Sequence, residues 1–115
     1  MVSPTAPATD KLEQELRRGV VVLAVLSQLR DAQYGYSLRQ ALASQGMPIE
    51  EGTLYPLLRR LEAQGLLASE WHIEDGPPRR YYRLSPTGER LYRDLTAGWR
   101  TLVATMDKLL DEGAP

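Results

Sequence analysis

Leucine and valine recur every three or four positions early in the chain, and this spacing predicts an amphipathic first helix. The recurring positions lie on one face of an α-helix: Leu12, Leu16, Val20, Leu23, Leu26 and Leu29. Residues 20–22 are all valine and therefore β-prone, but the helical period continues on both sides of them. Asp10 can cap this helix, which we expect to continue to about Arg30. The preceding residues 1–9 are short of large apolar groups and are expected to form a disordered tail.

A second, shorter helix is expected after the turn signal Tyr34-Gly35. It covers Tyr36 to Ser44, with Leu38 and Leu42 facing inward.

The third helix has four leucines at the spacing of a core-facing stripe, Leu54, Leu57, Leu58 and Leu61. We expect it to begin between Glu51 and Thr53 with Thr53 as its cap. Pro56 would then lie in the first turn, where a missing NH costs nothing. Gly65 marks the end of the helix.

A hairpin and a long last helix complete the pattern. Leu66 to Ile73 predicts one strand, residues 75–78 (Asp-Gly-Pro-Pro) a turn, and Arg79 to Leu84 a returning strand. Ser85 and Pro86 are a typical cap and first residue of a helix that can run for about 26 residues, roughly 40 Å.

The last helix is longer than so small a domain needs, and it carries an apolar stripe. Its predicted contact positions are Leu95, Trp99, Leu102, Met106 and Leu109, and we expect Leu16 of the first helix to join them. Such a face must be buried, and a second copy of the chain is the expected partner, which predicts a homodimer. The alternative is that the helix folds back on its own core.

Composition narrows the class of protein. The 115 residues suit a single domain, and the absence of cysteine excludes disulfides and thiolate metal sites. No signal peptide or membrane-length apolar run is evident, so a soluble, cytoplasmic protein is expected. The single histidine, His72, makes no metal site with its neighbours, and no nucleophile motif or phosphate loop is present. The sequence therefore predicts neither an enzyme nor a cofactor.

The net charge of −1 is unevenly distributed. Residues 52–93 hold seven basic and five acidic groups, whereas residues 94–115 hold two basic and four acidic groups. A local basic surface on an acidic protein is consistent with a protein that binds a specific nucleic-acid sequence and binds other sequences weakly. The acidic balance also leaves open a protein-interaction module that does not bind DNA.

The order of elements predicts a fold that is mainly α (α+β), a winged helix-turn-helix. The expected DNA-binding domain covers residues 10–84, and residues 85–115 form a dimerisation helix. Three segments, residues 34–38 (YGYSL), 52–62 (GTLYPLLRRLE) and 79–88 (RRYYRLSPTG), closely resemble the PadR family of transcriptional regulators. The single helix after the wing is similar to the short subfamily, whose members are homodimers.

The resemblance implies repression by binding to an operator, expected to be pseudo-palindromic double-stranded DNA, and relief by a small molecule or another signal. In a winged helix-turn-helix the third helix enters the major groove and the wing lies against the backbone or minor groove. The expected DNA-binding residues are Tyr36, Ser37, Thr53, Tyr55, Pro56, Arg59, Arg60, Arg79 and Arg80. The alternative reading is a solvated helix face, with Arg59 paired to Glu62, and arginines that only keep the wing strand soluble.

Trp99 is the candidate ligand-binding residue. In the multidrug-binding members that the chain resembles, a tryptophan of the last helix meets its symmetry mate at the dimer centre, where planar aromatic compounds stack. Indole faces suit planar cations. The alternative is that Trp99 only anchors the dimer core.

Overall fold

The computed structural model describes residues 6–74 and 76–111, which form four helices and a small sheet. The elements in chain order are α1 (Ala6–Ser27), β1 (Gln33–Tyr34), α2 (Gly35–Ser44), α3 (Glu51–Ala63), β2 (Leu67–His72), β3 (Arg79–Leu84) and α4 (Pro86–Leu110). The predicted winged helix-turn-helix is confirmed, with α2 and α3 followed by the β2–β3 wing.

The sheet has three antiparallel strands in the order β1-β3-β2. The hairpin register pairs Leu67 with Leu84 at its base and His72 with Arg79 at its tip. β3 occupies the predicted residues, whereas β1 was not predicted. β1 consists of two residues, and its pairing with β3 joins positions far apart in the sequence.

α1 begins earlier than predicted. It starts at Ala6, so Asp10 lies inside the helix and does not cap it, and residues 6–9 are helical where a disordered tail was expected. Residues 1–5 of that expected tail lie outside the described residues. α1 ends at Ser27, three residues before the predicted Arg30.

α3 begins at Glu51, within the predicted range for its start, but its cap is not the predicted residue. Glu50 occupies the cap position, so Thr53 is already helical and Pro56 lies inside the helix, beyond its first turn. The prediction that Thr53 caps the helix is therefore wrong. Pro56 removes the NH that would have bonded to the carbonyl of Gly52, a local cost that the buried leucines of the helix offset.

Gly65 ends α3 and Ser85 caps the start of α4, as the sequence predicted. Gly65 has a φ of +79°, and the amide of Leu66 donates to the Leu61 carbonyl over 3.0 Å, a Schellman end. Ser85 caps α4, because its Oγ accepts from the Gly88 amide over 2.9 Å.

The core lies between the C-terminal half of α1, the inner faces of α2 and α3, and the base of the wing. Its buried side chains are Val25, Leu26, Leu29, Leu38, Leu42, Ile49, Leu54, Leu57, Leu58, Leu61, Leu67, Tyr82 and Leu84. Leu26 and Leu29 are buried as expected, whereas Leu12 and Leu16 remain exposed. Leu12 and Leu16, in the N-terminal half of α1, therefore take no part in this core.

α4 contacts α1 and the core along one side and leaves most of its apolar stripe uncovered. Tyr92 packs on the core, with the Arg30 guanidinium 5.8 Å from its ring centroid. Farther along, Leu102 is 60% exposed and Leu109 is 72% exposed. In the part of the chain that the structure describes, no helix has both the length and the apolar character to cross a membrane.

Candidate nucleic-acid interface

The outer face of α3 presents the predicted reading residues to solvent. Thr53, Pro56, Arg59 and Arg60 are exposed, opposite the four buried leucines of the same helix. Two arginines in this position give the outer face a local positive charge. An exposed helix with donors and a basic edge is suited to a DNA groove.

Tyr55 is half-buried and lies against another helix, unlike its neighbours on α3. Its ring sits directly over Gly35, the first residue of α2, so closely that any side chain there would overlap the ring. Tyr55 also packs against the core. This side chain therefore fixes α3 against the start of α2.

The start of α2 carries Tyr36 and Ser37. Tyr36 is 56% exposed, and its hydroxyl accepts a hydrogen bond from Gln40 Nε2 over 2.7 Å. The Ser37 hydroxyl donates to the Tyr34 carbonyl over 3.0 Å, which uses its proton within the helix end. The turn between α2 and α3 is closed by Arg39, whose guanidinium binds Glu51 over 2.8 Å.

The wing brings Arg79 and Arg80 to different environments, although they are adjacent in sequence. The Arg79 guanidinium lies 4.6 Å from the ring centroid of Tyr34, next to the start of α2. Arg80 points to the other face of the hairpin, towards α3, and forms an ion pair with Glu62 over 3.1 Å. Glu62 thus pairs with Arg80 and not, as the sequence alternative supposed, with Arg59.

An open cleft of about 740 Å³ separates α3 from the wing. Its lining includes Tyr55 and Arg59 from α3, Trp71 from β2, and Arg79 and Arg80 from β3. Two of the predicted helix residues, Tyr55 and Arg59, therefore meet the predicted wing residues on one side of the molecule. The other three, Thr53, Pro56 and Arg60, line a second cleft of about 870 Å³ between α3 and α1, where Arg17 and Arg18 of α1 also lie.

The two adjacent tyrosines of β3 divide between core and surface, as the alternation of side chains along a strand requires. Tyr82 is buried, and burial raises its pKa, although the nearby Arg80 acts in the opposite direction. Tyr81 lies on the outer face, where the His72 ring stacks on it with a centroid distance of 4.0 Å. Tyr34 is half-buried and packs against Tyr81 at 5.2 Å.

The predicted pairing residues form one continuous exposed strip on α4. Leu95, Trp99, Leu102, Met106 and Leu109 are all exposed, and Leu16 on α1 is 76% exposed. Trp99, 43% exposed, lies near the middle of this strip. A strip of this length on a projecting helix is typical of a surface that another helix covers.

The contacts that Gly35, Glu62 and Ser69 make at this interface were not identified from the sequence. Gly35 and Tyr55 are 20 positions apart, and Glu62 and Arg80 are 18 apart, so no local pattern joins them. Strand alternation offers one signal, because it places Ser69, Trp71, Arg80 and Tyr82 on the same face of the hairpin.

Comparison with known proteins places these features in a known group. Residues 22–94 match the Transcriptional regulator PadR-like family. A transcriptional regulator of Mycobacterium tuberculosis is 45% identical over 76 residues, which is 65% of this chain and 71% of that protein.

Solved structures agree with this match. The crystal structure of a PadR family transcriptional regulator from Eggerthella lenta has a TM-score of 0.84 and 50% identity, covering 93% of this chain and 96% of that one. A PadR-like transcription factor from Bacteroides fragilis has a TM-score of 0.73 and 34% identity, covering 86% and 98% of the two chains.

Proposed function

We propose that this chain, which belongs to the PadR-like family of transcriptional regulators, is a cytoplasmic, homodimeric repressor that binds a pseudo-palindromic operator. The observation that carries the proposal is that Arg59, on the outer face of α3, and the wing arginine Arg79 line the same open cleft. A groove-reading helix flanked by a basic hairpin supplies both base contacts and backbone contacts.

In this proposal the exposed residues of α3 read bases. Thr53 offers a hydroxyl, Pro56 an apolar surface for a thymine methyl group, and Arg59 and Arg60 donors to bases or phosphates. Tyr55 contributes near the bases mainly by holding α3 in place, since its ring lies on Gly35.

In this proposal, contacts with the DNA backbone come from α2 and the wing, which lie on either side of α3. Tyr36 and Ser37 lie at the N-terminus of α2, where backbone NH groups and the helix dipole favour phosphate. Arg79, at the end of the wing, supplies a further phosphate contact.

Pairing through α4 supplies the affinity that one weakly basic copy lacks. The exposed strip from Leu95 to Leu109, with Leu16 on α1, is the proposed dimer surface. Two copies related by a two-fold axis would present two α3 helices to successive turns of DNA. A palindromic site matches that symmetry.

Relief of repression is assigned to Trp99. Its indole is partly exposed within an apolar strip, where two copies would bring two indoles together. A planar aromatic cation, or a comparable flat effector, could stack there and alter the pairing of the α4 helices.

The proposal is tested by selecting operator fragments from the genome that encodes the chain and measuring their affinity by fluorescence anisotropy. Arg59→Ala should weaken binding to the selected fragment, whereas Arg100→Ala, on the exposed side of α4 opposite the strip, should not. Binding should also weaken steeply with added salt. Failure to enrich any fragment, or equal effects of the two substitutions, contradicts DNA reading by this surface and favours a protein-interaction module.

A further inference from the structure

A cluster of three polar side chains joins α3 to both strands of the wing. The Glu62 carboxylate accepts hydrogen bonds from the Ser69 hydroxyl and, over 3.1 and 3.3 Å, from Arg80 Nη2. Arg80 Nε donates to Ser69 Oγ over 2.9 Å. Each member therefore contacts the other two, and each comes from a different element.

The arginine of this cluster is held by aromatic rings as well as by the carboxylate. Its guanidinium carbon lies 5.8 Å from the ring centroids of both Trp71 and Tyr82. The Glu62 side chain is only 27% exposed. A guanidinium that is fixed at two nitrogens and neutralised by a carboxylate is a poor phosphate ligand, because binding phosphate requires breaking these contacts.

The cluster lies at the outer edge of the core in the hairpin, where Ser69 is the strand partner of the buried Tyr82. Leu67 and Leu84 hold the base of the hairpin in the core. Arg80 is paired with Trp71 four positions farther out, and Arg79 pairs with His72 at the end of the strands. The direction of the wing tip relative to α3 therefore depends on this polar contact.

We infer that Glu62 is a positioning residue, which acts through Arg80 and Ser69 to set the wing at the angle where Arg79 and the outer face of α3 engage the same DNA. Arg80 belongs to this support and does not itself bind phosphate. The inference rests on the proposed DNA-binding function. It assigns the phosphate contact of the wing to Arg79, whose guanidinium lies over Tyr34.

The direction in which Glu62→Gln changes the affinity for the operator distinguishes the two possible roles of Arg80. Glu62→Gln removes a negative charge near the DNA and releases Arg80. If Arg80 were a phosphate ligand restrained by Glu62, operator binding would become tighter. A positioning role predicts the opposite, a loss of about tenfold, which is the size expected for losing one charge-assisted hydrogen bond. The matched control is Glu70→Gln, which removes the same charge from the outer face of the hairpin and should bind no more weakly than the parent.

Salt dependence gives a second, independent readout. Each lost phosphate contact reduces the slope of log K against log salt by about 0.9. Arg79→Ala should reduce the slope by about this amount, whereas Arg80→Ala should lower the affinity and leave the slope unchanged. Equal slope changes for the two variants, or tighter binding by Glu62→Gln, would overturn the inference.

A DNA-free measurement distinguishes this inference from the proposed function. In a Trp99→Phe background, Trp71 is the remaining indole, and Glu62→Gln should shift its emission and increase hydrogen exchange in β2 and β3. If these changes occur in a protein that binds no DNA, the proposed DNA-binding function is refuted, but the role of Glu62 in holding the wing against α3 is not. If the Trp71 emission and the hydrogen exchange are both unchanged, Glu62 does not position the wing. Thermal unfolding of both glutamate variants shows whether the fold is retained.

Discussion

The Tyr55 ring lies directly over the α-carbon of Gly35, in the position that a side chain would otherwise occupy. A Cβ built on Gly35 would come within 2.6 Å of Tyr55 Cζ, well inside van der Waals contact. α2 and α3, the two helices of the helix-turn-helix, therefore approach each other through a glycine on one and an aromatic ring on the other. The close approach, and not an unusual backbone angle, requires glycine here.

Gly35→Ala should consequently displace Tyr55 and shift α3 relative to α2. We expect the free energy of unfolding to fall by about 1–3 kcal/mol, as for other overpacked sites, and operator binding to weaken. Urea unfolding and anisotropy measure the two effects. In a Tyr55→Leu background the added methyl should cost less. Gly19→Ala in α1 is a control, since a methyl group there would meet nothing within 4 Å beyond its own stretch of helix. Equal costs of Gly35→Ala in both backgrounds would contradict the contact.

Gly88 faces a similar constraint from the backbone. A Cβ there would overlap the Leu66 carbonyl and lie 3.3 Å from the Leu66 α-carbon. Because the backbone cannot rotate away as a side chain can, Gly88→Ala should lower the free energy of unfolding by about 1–3 kcal/mol. Gly98→Ala, in open space on the same helix, should instead be neutral or stabilising. Thermal unfolding of the two variants at equal protein concentration compares them, and an equal response would count against the packing described.

Leu102→Asp should dissociate the proposed dimer. The side chain is 60% exposed in the single chain, so the substitution costs little there, but it would place a carboxylate in an apolar interface. Sedimentation velocity should detect a monomer. Ala104→Asp adds the same charge on the opposite side of α4 and should remain dimeric. A parent protein that is already monomeric would refute the pairing.

Trp99 should report on planar aromatic cations. The chain has two tryptophans, so Trp71→Phe leaves Trp99 as the only indole. Stacking of a flat cation on its face should quench the fluorescence in a saturable titration. The complementary variant Trp99→Phe should respond weakly. If quenching is seen only in the variant that retains Trp71, or in neither variant, Trp99 serves only as a dimer contact.

Local signals were sufficient for much of the fold. β3, the Gly65 helix end and the Ser85 cap are all determined by residues within a few positions of each other. Two cap assignments were wrong: Asp10 and Thr53 have the chemistry of caps, but α1 and α3 both continue upstream of them. A cap residue can also be accommodated in a helix interior when the flanking residues are helical.

The interface was less accessible to sequence reasoning because its supporting contacts are long-range. The outer residues of α3 follow from helical periodicity, and the structure exposes Pro56 and Arg59 as that periodicity requires. The difference between Arg79 and Arg80 does not follow from local sequence, since it depends on Glu62 and on the strand register. Which of these residues touch DNA remains a prediction.

The junction at Ser85 has a mechanical consequence. Its amide donates to the Leu66 carbonyl over 3.0 Å and its hydroxyl to the Gly65 carbonyl over 2.6 Å, while its Oγ also caps α4. No flexible linker separates the wing from α4, because β3 ends at Leu84 and the helix starts at Pro86. A 25-residue helix is about 37 Å long, so a rotation of about 10° of the wing and α4 as one body moves the far end of α4 by about 6 Å. Because α4 is joined rigidly to the wing, a displacement of its distal end would rotate the wing by a proportional angle.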